Sequence, residues 1–229
     1  MPSKPANDKA PTRKTGSLTD KAYQELEELI VTLRLQPGEV LSETALSEQL
    51  KIGRTPIREA LQRLTREGLV IILPRKGILV SEINPGKQLL VLEVRRQLDR
   101  LMARSGAVRR TEEDREKFLK IATGLEQAAN ENDDIEFMRC DNAFNDLLAT
   151  ATKNEYAIRA IGLMNGLSRR FWYVHYKETA DMPHCARLHA AVARGIAEGD
   201  PDAASEASDR LVDYVEEFTR STVNAGPTG

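Results

Sequence analysis

Two arginines, Arg54 and Arg58, lie four residues apart, and Gln62 follows after another four. In a helix this spacing places the three side chains along one face. Arginine and glutamine can each form two parallel hydrogen bonds with a base edge in the DNA major groove. The opposite face is apolar and consists of Ile57, Ala60, Leu61 and Leu64. The stretch therefore predicts a helix that packs by one face and contacts nucleic acid by the other.

A second set of polar residues, Arg95, Asp141, Asn145 and His189, lies where helical spacing would place apolar ones. Ionisable groups among apolar residues are costly unless they are paired, bind a metal or bind a ligand. One interpretation is an internal network, in which Arg95 pairs with Asp141 and a backbone carbonyl satisfies His189. The other, which we favour, is an effector site where Arg95 holds a carboxylate by two hydrogen bonds. Asn145, His189 and Arg170 would complete that site.

The residues around Arg54 and Arg58 predict a helix-turn-helix. Ser42 is suited to cap a short helix that ends near residue 50. Residues 51–53 would form the turn, with Gly53 in a left-handed backbone conformation. Thr55 would cap the second helix, and Pro56 would occupy its first position, where the missing N–H has no cost.

A hairpin is predicted directly after this helix. Gly68 is suited to end the helix, residues 69–73 and 78–83 predict two strands, and Pro74 to Gly77 a tight turn between them. A further helix is expected before the helix-turn-helix, at residues 18–33. Together these elements predict a winged helix-turn-helix with a two-stranded wing, in which Arg75, Lys76 and Gly77 contact DNA.

Basic residues are concentrated in this region. Between Lys51 and Lys76 the sequence has seven basic residues and two acidic ones, although the whole chain has a formal net charge of -2. A basic cluster that coincides with a helix-turn-helix indicates a DNA-binding surface rather than an ordinary solvated face.

The rest of the chain predicts an antiparallel all-helical bundle, so the fold class is mainly α. Residues 1–16 are expected to form a disordered tail, 17–83 the DNA-binding domain, 84–86 a linker, 87–224 the bundle and 225–229 a second tail. Good cap residues mark several helix starts in the bundle. Its helices are predicted at about 87–109, 112–130, 134–151, 155–178, 183–198 and 202–222.

Composition excludes several classes of protein. Two cysteines, Cys140 and Cys185, without regular spacing do not form a disulfide framework. No apolar run approaches the length that crosses a membrane, and the N-terminus has no apolar signal region. We therefore expect a cytoplasmic protein.

The DNA-binding region resembles the GntR family of bacterial transcription factors. The similarity lies in Thr-Pro-Ile-Arg-Glu-Ala-Leu at residues 55–61, in Leu-Gln-Pro-Gly-Glu at 35–39 and in the Arg-Lys-Gly wing tip at 75–77. It implies that Arg54 and Arg58 enter the major groove of operator DNA. Some family members have a DNA-contacting arginine where this chain has Thr44, so the first helix is expected to contribute less.

The bundle resembles the FCD effector domain of the FadR-type branch, through Glu93 to Asp99, Asp141 to Phe144 and His189. Many FCD domains bind a divalent metal, zinc or nickel, through one Asp and three His. Asp141 and His189 match two of these positions, whereas Asn145 and Leu211 replace the other two. Because an amide is a poor ligand for such metals and leucine is none, the sequence leaves open a weak metal site or a metal-free pocket.

We therefore interpret the chain as a homodimeric transcriptional repressor that a small carboxylate metabolite releases from palindromic operator DNA. The main alternative is a DNA-binding protein whose bundle serves only dimerisation. An enzyme that uses Asp141 and His189 as acid and base is a weaker alternative, because no nucleophile or cofactor motif accompanies them.

Overall fold

The computed structural model describes residues 17–73 and 77–224. The N-terminal domain contains helix α1 (Leu18–Val31), strand β1 (Val40–Leu41), helices α2 (Glu43–Leu50) and α3 (Arg54–Arg66), and strands β2 (Val70–Leu73) and β3 (Gly77–Val80). The predicted winged helix-turn-helix is confirmed. The two-stranded wing forms as predicted from β2 and β3, and β1, which the sequence did not predict, pairs with β3 in a three-stranded antiparallel sheet of order β1-β3-β2.

Two details of the predicted turn are wrong. The left-handed residue is Lys51, with a φ of 54°, at the end of α2, whereas Gly53 has an extended conformation with a φ of -58°. Lys51 donates its N–H to the Ser47 carbonyl, so the left-handed residue lies two positions before the glycine. As a result α3 begins at Arg54, Gly53 occupies the cap position, and neither Thr55 nor Pro56 has the predicted role.

The second domain consists of helices α4 (Pro85–Arg109), α5 (Glu112–Glu131), α6 (Asp134–Thr152), α7 (Glu155–Thr179), α8 (Met182–Glu198) and α9 (Pro201–Asn224). The prediction of an all-helical bundle is confirmed. Caps define the starts: Thr111 and Asp114 form a capping box, and Asp133 and Asn154 accept backbone N–H groups. Pro85 and Gly86, predicted to be linker, are already part of α4, which Asn84 caps.

All six of these helices contribute to one apolar core, in which Phe118, Leu125 and Ile196 are fully buried. Helices α8 and α9 pack very closely, since a Cβ atom added at Gly195 would lie 2.8 Å from the backbone nitrogen of Ala204. Close packing of this kind holds the polar residues on the inner helix faces in fixed positions.

One turn of α7 joins the two domains. Leu167 packs against the core of the N-terminal domain, and a Cβ added at Gly166 would lie 2.6 Å from Leu69 Cδ1. Arg170 is 2% exposed and donates to the Ser81 carbonyl and to Ser81 Oγ, each at 2.9 Å. The DNA-binding domain is therefore attached to the helix that also borders the bundle interior.

Candidate DNA interface and effector cavity

Helix α3 presents its polar face to solvent, as the spacing predicts. Arg54, Thr55, Arg58 and Gln62 are exposed. The opposite stripe is buried in the core of the N-terminal domain and comprises Ile57, Ala60, Leu61 and Leu64. Because packing fixes the rotation of α3, these four side chains face outward together.

Glu43 is a contact of this face that sequence reasoning missed. Arg58 donates from Nε to both carboxylate oxygens, at 3.0 and 3.1 Å, and from Nη2 at 2.7 Å. The hydrogen bonds and charge of this pair raise the pKa of Arg58 and lower that of Glu43. Fifteen residues separate the two along the chain, and no local pattern relates them. Glu43 thus holds the Nε–Nη2 edge of the guanidinium and does not contact Nη1.

The wing lies partly outside the described residues. Gly77 begins β3 with a φ of 93°, a conformation that favours glycine. Arg75 and Lys76, which we expect to contact DNA, belong to the undescribed segment 74–76.

A cavity of about 530 Å³ lies between the bundle and the DNA-binding domain. Side chains from α1 and α3 line one side, and side chains from α4, α6, α7, α8 and α9 line the other. Four of the predicted effector residues belong to this lining, namely Arg95, Asp141, Asn145 and His189. A cavity of this volume is in the usual range for small-molecule sites.

Asp141 is the centre of a polar cluster in the cavity wall. His189 Nε2 lies 3.2 Å from Asp141 Oδ1, and Asn145 Nδ2 donates to the same oxygen at 3.1 Å. His189 Nδ1 lies 2.9 Å from the Cys185 carbonyl, which fits the predicted backbone partner of this histidine. A protonated His189 would donate a hydrogen bond at each ring nitrogen.

These contacts shift the pKa values of both His189 and Asp141. Burial by itself would lower the pKa of His189, but its interactions with Cys185 and Asp141 raise it well above the ordinary value of 6.5. Burial by itself would raise the pKa of Asp141, but the hydrogen bond and charge of His189, with Arg95 and Arg169 nearby, lower it below 3.8. The pair is therefore ionic near neutral pH.

Arg95 lines the cavity but does not pair with Asp141 as the alternative interpretation expected. Its Nε donates to Asp99 Oδ2, one helical turn away, at 3.2 Å. The guanidinium still affects Asp141 by its charge. Its Nη groups make no hydrogen bond with any described residue in the structure, so they remain able to bind an anion.

Arg170 does not belong to the cavity, contrary to prediction. Its guanidinium is hydrogen-bonded to Ser81, and burial lowers its pKa to about 10. The preceding residue, Arg169, lines the cavity instead, together with Trp172 and Tyr173. Adjacent residues of a helix differ by about 100° in direction, so one position decides which arginine faces the ligand.

The residues of this chain do not fit a resident zinc or nickel ion. Leu211 lines the cavity where the family has a histidine, and Asn145 uses its amide nitrogen to bind Asp141. Among the side chains that the structure describes, no group of three or more His, Cys, Asp or Glu residues is arranged to hold a metal. Two strong ligands are too few for tight binding of such metals.

Trp172 supplies one further polar atom beside the cavity. Its Nε1 is buried and has no hydrogen-bond partner among the residues that the structure describes, although a buried indole N–H normally has one. Phe137 and Phe144 pack edge-on against His189, at centroid distances of 5.6 and 6.1 Å. The cavity thus combines aromatic walls with a few polar groups.

Comparison with known proteins agrees with this architecture. Residues 18–80 match the family model "Bacterial regulatory proteins, gntR family", and residues 90–214, more than half of the chain, match the FCD domain. The chain belongs to the GntR family. It is a DNA-binding transcriptional regulator with a C-terminal FCD domain, of the FadR-like branch, and the family consists of regulators rather than enzymes.

Several bacterial regulators are similar in sequence to this GntR regulator. It is 27% identical to the Nta operon transcriptional regulator of Aminobacter aminovorans over 136 residues, which are 58% of this chain and 63% of that protein. It is 24% identical to the HTH-type transcriptional repressor RspR of Escherichia coli K12 over 209 residues, 90% of each protein. An uncharacterised Streptomyces ambofaciens regulator is 42% identical over 65 residues, 28% of each chain.

Solved structures show the same fold. E. coli McbR/YncC superposes with a TM-score of 0.75 at 18% identity, over 92% of this chain and all of that one. A GntR regulator from Rhodococcus sp. RHA1 superposes with a TM-score of 0.60 at 18% identity, over 90% of this chain and 98% of that one.

None of the helices in the described part of this GntR regulator combines the length and the apolar character that a membrane span requires.

Proposed function

We propose that this GntR regulator is a homodimeric repressor whose affinity for a palindromic operator falls when a small carboxylate metabolite binds in the cavity. The observation that carries this proposal is the position of the cavity. Its walls include Arg95, Asp141 and His189 of the bundle and also Tyr23 and Arg63 of the DNA-binding domain. A ligand there touches both domains, so it can favour one arrangement of them over another.

In this proposal the outward face of α3 enters the major groove. The base-contacting side chains are Arg54, Thr55, Arg58 and Gln62. Arg75, Lys76 and Gly77 of the wing contact the DNA backbone or the minor groove. A relative that is similar over 90% of its length is named a transcriptional repressor, which supports repression as the output.

The proposed dimer uses α4. Leu90, Val94, Leu101 and Val108 are 61%, 52%, 43% and 70% exposed. Their spacing of four, seven and seven residues places them within a narrow stripe of the helix surface. A second copy of this chain is the natural partner for the stripe, because two winged helices reading one palindrome require two-fold symmetry.

Binding of a carboxylate can be tested by thermal unfolding in the sodium salts of acetate, lactate, succinate, citrate and benzoate, with and without a chelator. A ligand present at 100 times its Kd stabilises the folded state by about 2.7 kcal/mol. We expect at least one salt to raise Tm, and we expect the chelator to have no effect. Arg95→Gln should abolish that rise, whereas Arg115→Gln, an exposed arginine of α5, should retain it.

The rival function, a bundle that only dimerises, has one observation in its favour. Asp141, Asn145, His189 and Arg95 all have partners within the bundle. It predicts the same Tm in every salt, and a dimer that binds operator equally with and without each acid. That result would contradict the effector proposal.

A further inference from the structure

Arg169 is placed to act in both the cavity and the attachment of the DNA-binding domain. It lies on α7, one residue before the buried Arg170 that anchors the domains, and it lines the cavity. Its Nη1 lies 3.5 Å from Glu27 Oε1, and its Nη2 lies 3.9 Å from Glu28 Oε2. Both glutamates belong to α1 of the DNA-binding domain and also line the cavity.

The other two arginines of the cavity wall are held more firmly. Arg63 stacks on the Tyr23 ring at 3.5 Å and donates from Nε to Glu67 at 3.1 Å. Arg95 donates to Asp99 at 3.2 Å. The contacts of Arg169 with α1 are longer than ordinary hydrogen bonds. Of the three guanidinium groups, Arg169 therefore requires the least energy to move towards a new anion.

The Glu27 carboxylate depends on its ion pair with Arg169. Its side chain is only 14% exposed, and its Oε1 would lie 3.1 Å from a Cβ added at Gly166. Burial raises the pKa of Glu27, and Arg169 acts in the opposite direction. A nearly buried carboxylate that loses its ion-pair partner is destabilised, so withdrawal of Arg169 weakens the packing of α1 on α7.

We propose that Arg169 is a ligand-binding residue of the cavity, and that a ligand carboxylate and the Glu27/Glu28 pair compete for its guanidinium. The proposal rests on the proposed effector function and assigns the ligand's anionic group to Arg169 together with Arg95. When the ligand takes Arg169, α1 loses these ion pairs with α7. The contacts of Leu167 and Arg170 then still attach the DNA-binding domain, but they hold its orientation less firmly. Ligand binding and operator binding then oppose each other, and each weakens the other by the same factor.

Operator affinity of the dimer measures this competition. The DNA is a labelled duplex selected from random sequence by the wild-type protein, and the probe is sodium benzoate, whose ring suits the aromatic wall. Fluorescence anisotropy gives operator affinity with and without benzoate, and thermal unfolding gives benzoate binding. The variants are Arg169→Gln, Glu27→Gln/Glu28→Gln and their combination. Arg159→Gln is the control, since it removes an exposed ion pair with Glu155 on the same helix.

In the wild type and the control, benzoate should weaken operator binding, by about 5- to 150-fold if the coupling is typical. The Glu27→Gln/Glu28→Gln protein should bind operator weakly without benzoate, respond little to it, and still be stabilised by it. Arg169→Gln should lose the operator response and bind benzoate more weakly. The combined variant should bind operator no more weakly than the worse of its two parents, because all of them remove the same contact.

The outcomes separate this inference from the proposed function. An Arg169→Gln protein whose operator binding responds to benzoate as the wild type does would overturn the role of Arg169 alone. Additive losses in the combined variant would also overturn it. A wild-type protein that neither benzoate nor any other acid of the thermal series stabilises would overturn the effector function, and the competition with it.

Discussion

The side-on contact between Arg58 and Glu43 determines which edge of the guanidinium faces outward. Glu43 accepts from Nε and Nη2, so the edge formed by the two Nη groups remains available. That edge has the two parallel N–H groups that match O6 and N7 of guanine. At the level of residues, Glu43 is therefore expected to orient Arg58 for base recognition.

The first prediction concerns this pair. Arg58→Ala should weaken binding to the selected operator by roughly 5- to 150-fold, the equivalent of one lost two-pronged base contact. Glu43→Gln should also weaken operator binding but leave binding to an unrelated duplex unchanged or stronger, because it removes a negative charge and frees the arginine. Anisotropy titrations at one fixed salt concentration measure both. Arg159→Ala serves as a control, and a Glu43→Gln protein that binds both duplexes more tightly would show that Glu43 only neutralises Arg58.

The second prediction concerns the pH dependence of stability. The pKa of His189 is raised by folding, so its stabilising effect is complete below 6.5 and is lost as the pH rises through the folded-state value. The pKa of Asp141 is lowered, so its effect is present above 3.8 and is lost as the pH falls through the folded-state value.

The difference in unfolding free energy between wild type and His189→Gln should therefore be largest between pH 3.8 and 6.5. Urea denaturation at a series of pH values measures it. His184→Gln is the matched control on α8, because His184 packs against the Tyr214 ring rather than a carboxylate. A His189→Gln difference that is constant with pH would contradict the ionic pair.

Helices of the bundle approach each other closely at some glycines and not at others. A Cβ at Gly195 of α8 would collide with the backbone of α9, whereas a Cβ at Gly162 of α7 would meet nothing within 4 Å. Gly162 also lines the cavity. At the level of elements, glycine is required for close packing in α8, whereas in α7 it leaves space beside the cavity.

The third prediction follows from this contrast. Gly162→Ala should stabilise the fold by about 0.5–1 kcal/mol, because alanine favours a helix more than glycine does. Gly195→Ala should destabilise it by about 1–3 kcal/mol, because α8 and α9 must move apart. For a chain of this size, each kcal/mol shifts Tm by about 2–4 °C. Calorimetry of the two variants beside wild type would measure both signs, and equal shifts would contradict the packing argument.

On the scale of the whole molecule, ion pairs of the α4 arginines join α4 to α9. The apolar stripe of α4 is exposed on this chain. Arg96 contacts Asp213 and Glu216 of α9, Arg100 contacts Asp209, and Arg104 contacts Asp202. One side of α4 is thus fixed to α9. The exposed stripe lies on another side, where the proposed dimer would place a second copy.

The fourth prediction tests that dimer. Leu101→Glu should convert the dimer to a monomer, because two carboxylates would be buried at a two-fold contact. The matched control is Leu163→Glu on α7, which is 49% exposed and lies outside the stripe. Light scattering after size-exclusion chromatography measures the mass. We also expect Leu101→Glu to bind a single half-site weakly, and a dimeric Leu101→Glu protein would rule out this interface.

The sequence by itself determined the elements and most of the outward and inward faces. The apolar stripe of α3, the caps at Thr111, Asp133 and Asn154, and the six bundle helices all follow from residues a few positions apart. Helix caps and apolar periodicity depend only on residues close together in the chain, so they can be identified from the sequence. That is why the helix bounds of the bundle agree with the prediction to within a few residues.

Only the tertiary structure decided which charged side chains meet. Glu43 reaches Arg58 across the turn, Arg169 rather than Arg170 faces the cavity, and Arg95 pairs along its own helix with Asp99. Each outcome depends on how far a helix is rotated and on which neighbour packs against it, and a rotation of 100° exchanges one residue for the next. Such rotations are set by the packing of the whole core, which no short stretch of sequence contains.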